Sequence, residues 1–466
     1  MANTRSDRGK NRISRLFAGL FGTGIPGEEE RHALRRLALW RSMGVLGVRL
    51  GGAVANFLYV LVLTRLLPQE DVGLVLTLTA YAFMFSVLMT LNLENVAIRF
   101  LQQPLEQGDL QSARAFVRHS GAVFLRMLLL VMFAYGLLVF FIAGRGMDIG
   151  LSIVLSMLSI PALALLRVGS LYGQAFHKVF VVSLSWGFVR PFLLLAFVAS
   201  IAVLGLGQPL VFVFAAFLAS ALLALLVQYF MLRPHMKFMR QGGAAKATRQ
   251  ERRQWTMAGL YLAASVFLLD YFQNTVPAIA ALVLPAEDIA LLGVALRFVG
   301  VMAMGQMAIN AAMGQQISRH HAKGETSKMM EAIIFANHLR FWPTLGVYGI
   351  VFIFAESLLG IFGEEYREGA FIFRLLGLVP LAACFFGNSI MLLNVYGKAK
   401  ALVGPALLST LLLLLAIPVG ANIAALSGVA VATLLVMLVF YGTLYLKVRQ
   451  VTGVRAALFD AGPKRP

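Results

Sequence analysis

The stretch Thr64-Arg65-Leu66-Leu67-Pro68-Gln69-Glu70-Asp71-Val72-Gly73-Leu74, here called the hinge, is a short polar segment between two long apolar runs. A related segment, Leu284-Pro285-Ala286-Glu287-Asp288-Ile289-Ala290-Leu291, also separates two apolar runs, and its proline follows that of the hinge by 217 residues. This second copy has Ala290 where the first has Gly73. The repetition predicts that the chain contains two copies of one structural unit.

Composition places the chain among membrane proteins. Of its 466 residues, 59% are hydrophobic and 13% are charged, and the mean hydropathy is +0.81. A helix needs about 20 apolar residues to cross the hydrocarbon core, where every backbone polar group must be satisfied internally. The single cysteine, Cys384, excludes an intramolecular disulfide and a cysteine-based zinc site. We therefore predict an all-α polytopic membrane protein.

About twelve transmembrane helices are expected, arranged in two lobes of six. An even number of helices per lobe inserts the second lobe in the same orientation as the first, so the lobes are predicted to be parallel repeats around a central cavity. The predicted spans cover residues 42–64, 72–92, 120–142, 149–167, 180–203, 210–232, 257–283, 289–314, 335–355, 370–392, 401–418 and 424–446.

Five regions follow from these spans. In the basic N-terminal tail, five apolar residues recur at helical spacing: Ile13, Leu16, Phe17, Leu20 and Phe21. This tail is expected to be either an amphipathic interfacial helix or a disordered segment that anionic lipids attract. The regions are the cytoplasmic tail 1–41, the N-lobe 42–232, a basic cytoplasmic linker 233–256, the C-lobe 257–446 and a cytoplasmic tail 447–466.

The placement of basic residues predicts the orientation. Lysine and arginine concentrate in both tails and in the loops after even-numbered spans, whereas the loops after odd-numbered spans contribute only Arg65, Arg145 and Arg367. By the positive-inside rule both termini are cytoplasmic and the hinge faces outward. The net charge of +19 therefore indicates contact with anionic membrane lipids, and we expect no nucleic-acid partner.

Four charged residues fall deep inside predicted spans, where charge is costly and usually functional: Arg49, Arg190, Asp270 and Arg297. Arg126, Arg340 and Arg374 lie nearer to span ends and are predicted to reach the headgroups with their long side chains. Two amides accompany the deep charges, because Asn56 shares a helix face with Arg49, and Asn274 with Asp270.

These residues permit two interpretations. Three arginines would make a positive interior suited to phosphate, since guanidinium groups bind phosphate oxygens in a bidentate manner. The predicted cavity residues that bind substrate are Arg49, Asn56, Arg190 and Arg297. Asp270, with Asn274 beside it, would take up a proton or a cation, or would form a purely structural ion pair with Arg297.

Four stretches together resemble the polysaccharide-transporter (Wzx-like) branch of the multidrug/oligosaccharidyl-lipid/polysaccharide (MOP) flippase superfamily. They are the hinge itself, residues 359–370 (LGIFGEEYREGA), residues 392–398 (LLNVYGK), and residues 417–420 (IPVG) continuing through 426–433 (LSGVAVAT). The resemblance covers nearly all of the chain after residue 41. The hinge copy departs from the pattern at Ala290.

The resemblance implies a flippase of the bacterial inner membrane. Its cargo would be a polyprenyl-pyrophosphate-linked oligosaccharide for export of exopolysaccharide, capsule or O-antigen, moved by alternating access. Membrane lipids and the polysaccharide polymerase or export machinery are the expected partners. No cofactor and no metal are expected, and coupling to H⁺ or Na⁺ stays open. The alternative within the superfamily is a cation-coupled exporter of drugs or other small molecules.

Two further classes of protein, a membrane enzyme and a structural scaffold, fit the sequence less well. A membrane glycosyltransferase, polymerase or ligase would need acid, base or metal groups, but the sequence has no Walker loop, Asp-x-Asp, His-Glu-x-x-His or Gly-x-Ser-x-Gly motif. The loops after odd-numbered spans are also short. A structural scaffold would leave the deep charges without a role. The sequence therefore predicts a transporter and not an enzyme.

Overall fold

The computed structural model describes residues 28–143, 150–176, 178, 184–240, 247–269 and 272–459. Every long regular element in this part of the chain is a helix. The main helices are α1 (Glu28–Leu66), α2 (Gln69–Thr90), α3 (Leu110–Ala143), α4 (Gly150–Ala175), α5 (Arg190–Leu204), α6 (Pro209–Leu232), α7 (Arg249–Leu269), α8 (Phe272–Ala280), α9 (Ala286–Ala322), α10 (Thr326–Gly360), α11 (Ala370–Leu376), α12 (Leu378–Phe385), α13 (Ser389–Val395) and α14 (Val403–Thr452). Short connecting helices cover Leu93–Val96, Ile98–Gln102, Gln103–Glu106, Ser185–Val189, Arg233–Arg240, Glu364–Gly369 and Ala399–Leu402.

Ten helical segments of the described chain are long and apolar enough to cross a membrane. One of them, Ala399–Thr452, contains two spans, because the backbone leaves helical geometry at Ala424 and Ala425. A Cβ on Gly428 would lie 1.9 Å from the carbonyl oxygen of Gly420, although residues eight apart in a straight helix are separated by about 12 Å. The chain therefore reverses between the predicted eleventh and twelfth spans.

The predicted seventh span corresponds to α7 and α8, which lie on either side of residues 270–271, outside the described part. With this pair and the two halves of α14, the helices match the twelve predicted spans in order. The predicted fold class, an all-α polytopic membrane protein of two six-helix lobes, is confirmed.

Both copies of the hinge start a helix with proline. Pro68 precedes α2 with φ −62° and ψ 157°, and Pro285 precedes α9 with φ −68° and ψ 163°. Proline is tolerated there because its φ is already fixed and no intrahelical donor is required at the helix start. Each helix also carries two acidic residues in its first turn, which the helix dipole stabilises.

The lobes touch at the hinge end of the molecule, where α2 packs against α9. A Cβ on Gly73 would lie 1.7 Å from the carbonyl oxygen of Ala286, so only glycine allows this backbone approach. Gln69 Nε2 donates to the carbonyl oxygen of Glu287 at 3.2 Å, and Arg65 Nη2 donates to that of Ile361 at 2.6 Å. Glycine is therefore required at residue 73 in the first copy of the repeat, whereas the second copy has Ala290 at the corresponding position.

Three phenylalanines close the same end between the lobes and are here called the aromatic plug. The ring of Phe57 on α1 lies 5.1 Å from that of Phe298 on α9 and 5.4 Å from that of Phe362. Phe298 and Phe362 are themselves 5.5 Å apart. Such edge-to-face pairs add about 0.5–1.5 kcal/mol each beyond their buried area. The plug therefore seals the hinge end.

At the opposite end, α7 joins the two lobes. Trp255 of α7 packs 5.3 Å from the ring of Phe116 on α3, and His119 Nε2 lies 3.0 Å from Thr256 Oγ1. The same helix also contacts α14 of the C-lobe. α7 therefore packs against both lobes.

The region boundaries at both ends differ from the helix ends. The described part of α1, Glu28–Leu66, includes the end of the predicted tail 1–41, and α7 begins at Arg249, inside the predicted linker. The amphipathic pattern at 13–21 lies outside the described residues. After α14 the chain packs against the C-lobe, where Asn337 Nδ2 donates to the carbonyl oxygen of Ala456 at 2.8 Å. The predicted domain bounds stay predictions.

Candidate functional site

A cavity of about 270 Å³ lies between the two lobes, beside the aromatic plug. Helices α1, α2, α5 and α6 contribute to it from the N-lobe, and α8 and α9 from the C-lobe. Five predicted site residues line this cavity: Arg49, Asn56, Arg190, Asn274 and Arg297. The sixth, Asp270, lies outside the described residues. The cavity is here called the central cavity.

Helix α1 supplies Arg49 and Asn56 from one face, as their spacing of seven residues predicts. Between them Gly52 touches the π-helix Ser185–Val189, since a Cβ there would lie 1.4 Å from the carbonyl oxygen of Gly187. This close approach fixes α1 against the segment that leads into Arg190. Arg49 is exposed and Asn56 is half-buried, so the polar face of α1 becomes more buried from Arg49 towards Asn56.

Arg190 at the start of α5 is the most deeply enclosed of the three cavity arginines, at 5% exposure. Its guanidinium carbon lies 4.8 Å from the ring centre of Phe83 and 4.9 Å from that of Phe217. Trp186 adds a third ring at 5.9 Å. Cation–π attraction strengthens when the cation is desolvated, to about 2 kcal/mol or more. The aromatic rings therefore hold a permanent positive charge inside the lobe.

Arg297 on α9 is positioned by the neighbouring helix α8. Its Nη1 donates to Gln273 Oε1 at 3.3 Å. The amide of Gln273 in turn occupies the space that a side chain at residue 300 would fill, because a Cβ on Gly300 would lie 1.7 Å from its Nε2. Asn274, next along α8, lines the cavity directly. Gln273 is thus a positioning residue for Arg297.

The central cavity has a positive lining. Its lining residues in the described part of the chain include three arginines and no aspartate or glutamate. Tyr59, Thr79 and the two asparagines add neutral hydrogen-bonding groups. Arginine forks present several N–H donors in fixed geometry, which suits the oxygens of phosphate and pyrophosphate. The arrangement can therefore bind an anionic group and orient it.

A second buried charge site, missed by the sequence analysis, joins Glu94 and Arg167. Arg167 Nη2 lies 2.6 Å from Glu94 Oε1, with side-chain exposures of 6% and 0%. Glu94 follows α2 after a turn in which Leu91 and Asn92 adopt positive φ. Both residues lie at the ends of even-numbered predicted spans, which end on the same side of the membrane. This shared position is the feature of the sequence that indicates that the two could pair.

One prediction about the peripheral arginines is wrong. Arg340 on α10 is 4% exposed and donates from Nη2 to the carbonyl oxygen of Ala383 at 3.4 Å. Its Nε and Nη1 have no hydrogen-bond partner among the residues that the structure describes. The position of Arg340 along its predicted span put the side chain within reach of the headgroups, but the face of α10 that carries Arg340 packs inside the C-lobe. Arg374, in contrast, reaches Glu356 at 3.3 Å near the hinge end.

No metal site is apparent in the described residues, where no group of three or more His, Cys, Asp and Glu side chains comes together.

No protein-family model matches the chain, and no curated protein matches its sequence. Solved structures are similar to it in fold. A multidrug resistance MATE family transporter of the MOP superfamily, described in its inward-facing conformation, aligns with a TM-score of 0.70 at 14% identity, over 87% of this chain and 97% of its own. A MATE protein described in the straight conformation aligns with a TM-score of 0.58 at 15% identity, over 90% and 95%.

A third structure is described by the reverse polarity of its binding pocket, which suggests a different function for this MOP superfamily transporter from Pyrococcus furiosus. It aligns with a TM-score of 0.59 at 14% identity, over 88% of this chain and 93% of its own. Identities this low establish the fold and not the cargo. The chain therefore has the two-lobe transporter fold that MATE proteins of the MOP superfamily share.

Proposed function

We propose that the chain is an alternating-access transporter of an anionic cargo, and that this cargo is a polyprenyl-pyrophosphate-linked oligosaccharide in a bacterial inner membrane. One observation carries the proposal: three arginines line the central cavity, and no acidic side chain does so in the described part of the chain. A positive, partly desolvated site attracts phosphate oxygens more strongly than the same charges would in water.

The volume of the central cavity limits what can occupy it. At about 270 Å³ it falls just below the roughly 300–1,000 Å³ that is usual for pockets holding drug-sized ligands. A pyrophosphate group with its first sugar would fit, and the rest of the glycan would extend towards exposed Arg49 and out of the cavity. The polyprenyl tail would stay in the bilayer.

Alternating access would come from relative rocking of the lobes. The hinge end is closed by the contact of Gly73 with Ala286 and by the aromatic plug. We place this end on the outer side of the membrane and both termini in the cytoplasm, on the basis of the positive-inside pattern. Opening would separate α2 from α9 and release the cargo outward.

The second candidate is an exporter of drugs or other small molecules, coupled to H⁺ or Na⁺. The structural neighbours favour it more than polysaccharide transport, because one of them is described as a multidrug resistance transporter. The lining of the central cavity favours the first candidate, because a cationic drug would meet three arginines there. Asp270 remains the proposed coupling residue, with Asn274 beside it.

Gene deletion separates the two candidates. We expect the deletion strain to lose surface polysaccharide and to accumulate lipid-linked oligosaccharide on the cytoplasmic leaflet, with unchanged drug sensitivity. Complementation with Arg297→Gln should fail, while Arg374→Gln, which removes a charge outside the cavity, should restore the polymer. Normal polysaccharide together with increased drug sensitivity would instead establish the exporter.

A further inference from the structure

A second cavity, of about 960 Å³, lies in the N-lobe between α4, α6 and the 3-10 helix Arg233–Arg240. It is here called the lateral groove. Its walls reach the exposed surface of the lobe, since Leu165, Leu222 and Leu226 are 40%, 49% and 50% exposed. Phe217, which lines the central cavity, is an α6 residue only 2% exposed. The lateral groove therefore opens towards the bilayer and is separate from the central cavity.

The base of the lateral groove is rigid. Gln228 Nε2 on α6 donates to the carbonyl oxygen of Leu166 and to Ser170 Oγ on α4, both at 3.0 Å. Gly169 leaves room for this amide, because a Cβ there would lie 2.1 Å from Gln228 Oε1. A buried side-chain amide with satisfied donors locks the two helices together. The groove is therefore a preformed feature of the lobe.

The roof of the groove is amphipathic. Residues three apart share a face of a 3-10 helix, and Arg233, Met236 and Met239 accordingly all line the groove. His235, on another face of this helix, stacks on Phe176 at 6.1 Å and anchors the roof to the end of α4. Methionine side chains adapt to irregular apolar partners. One face of the roof thus offers a cation followed by two flexible apolar groups.

The position of the cation matches the depth of lipid headgroups. Tyr229, 54% exposed, lies one helical turn before Arg233 at the end of α6, and such aromatic and basic residues mark membrane interfaces. From Arg233 the apolar wall descends along α6 to Leu222, which at 1.5 Å per residue is about 16 Å. Arg233 is exposed, and none of the ion pairs within the described chain includes it.

We propose that the lateral groove binds an anionic phospholipid from the leaflet at which α6 ends, with its phosphate on Arg233 and an acyl chain between α4 and α6. The charge at the mouth complements an anionic headgroup, and the length and apolar walls of the groove complement an acyl chain. This site is independent of the cargo proposed for the central cavity.

Native mass spectrometry of the full chain tests the proposal. The protein is purified in detergent and equilibrated with equimolar phosphatidylglycerol and phosphatidylcholine. We expect wild type to retain one phosphatidylglycerol in preference to phosphatidylcholine, and Arg233→Gln to reduce that preference by up to about fivefold. Arg449→Gln is the matched control, because Arg449 is an exposed arginine in the last turn of α14, on the C-lobe. It should leave the preference unchanged.

A steric variant tests where the chain of the lipid lies. Leu225→Trp puts a bulkier side chain at a half-buried position in the wall of the groove and should lower retention of both lipids. Equal retention of the two lipids by wild type, an equal effect of the Arg233 and Arg449 variants, or unchanged retention in a monodisperse Leu225→Trp protein would each overturn the proposal. Arg233 is exposed, so its substitution leaves the packing of the lobe intact and keeps the test valid if the tryptophan variant does not fold.

Discussion

Gly73→Ala is predicted to open the hinge end of the molecule. The added Cβ would lie 1.7 Å from the carbonyl oxygen of Ala286, whereas ordinary contacts begin near 3.4 Å. Helices α2 and α9 must therefore move apart by about 1.5 Å or more. Overpacking of this kind costs about 1–3 kcal/mol, which shifts the closed-to-open ratio about five- to 150-fold towards the open state.

Cysteine accessibility measures this shift. In a Cys384→Ala background, Asn56→Cys places a thiol in the central cavity, next to Phe57 of the aromatic plug. A membrane-impermeant maleimide added to intact cells should label this thiol slowly in the otherwise unchanged protein and several-fold faster after Gly73→Ala. Inverted membrane vesicles provide the same measurement from the other side.

The matched control is Gly136→Ala on α3, where an added Cβ would meet nothing within 4 Å. It should leave the labelling rate unchanged. If Gly73→Ala, present at the same level in the membrane, labels no faster than the control, the closing role of the hinge contact is refuted.

Two further predictions concern buried charges outside the central cavity. Glu94→Gln removes the carboxylate that pairs with buried Arg167 and should destabilise the protein by about 3–5 kcal/mol, measured as a lower Tm. Adding Arg167→Met should recover much of this loss. An unchanged Tm for Glu94→Gln alone would count against a stabilising role of the pair. Arg340→Met removes a buried cation, two of whose nitrogens have no hydrogen-bond partner within the described chain, and should be neutral or stabilising. A loss of transport without a fall in Tm would show that Arg340 has a functional role.

The fold was largely predictable because two signals in the sequence are strong. Apolar runs of membrane length define the spans with little ambiguity. The repeated proline at Pro68 and Pro285 marks the two-fold organisation, and the structure shows both starting a helix. The close approach at Gly73 was not predictable, because it depends on how α2 meets the second copy.

The candidate site was predictable in its residues and not in its contacts. Depth along a span picked out Arg49, Arg190 and Arg297, and the structure places all three around one cavity. Their role in binding stays a prediction. Depth alone failed at Arg340, because the direction in which a side chain points around its helix is set by packing against other helices.

Glu94 shows the other limit of sequence reasoning. The apolar pattern ends near this residue, so Glu94 reads as the start of a solvated loop. The positive φ of Leu91 and Asn92 turns the chain back into the lobe and buries the carboxylate against Arg167. Backbone turns of this kind, formed by residues other than glycine, leave almost no local signal.

The central claim is that the central cavity selects an anionic cargo. The most direct measurement is the affinity of the purified protein for a polyprenyl-pyrophosphate-linked oligosaccharide compared with that for a cationic drug, in wild type and in Arg190→Gln and Arg297→Gln variants. We predict that wild type prefers the pyrophosphate lipid and that each substitution weakens its binding about tenfold or more. Tighter binding of the cation, unaffected by either substitution, would contradict the account.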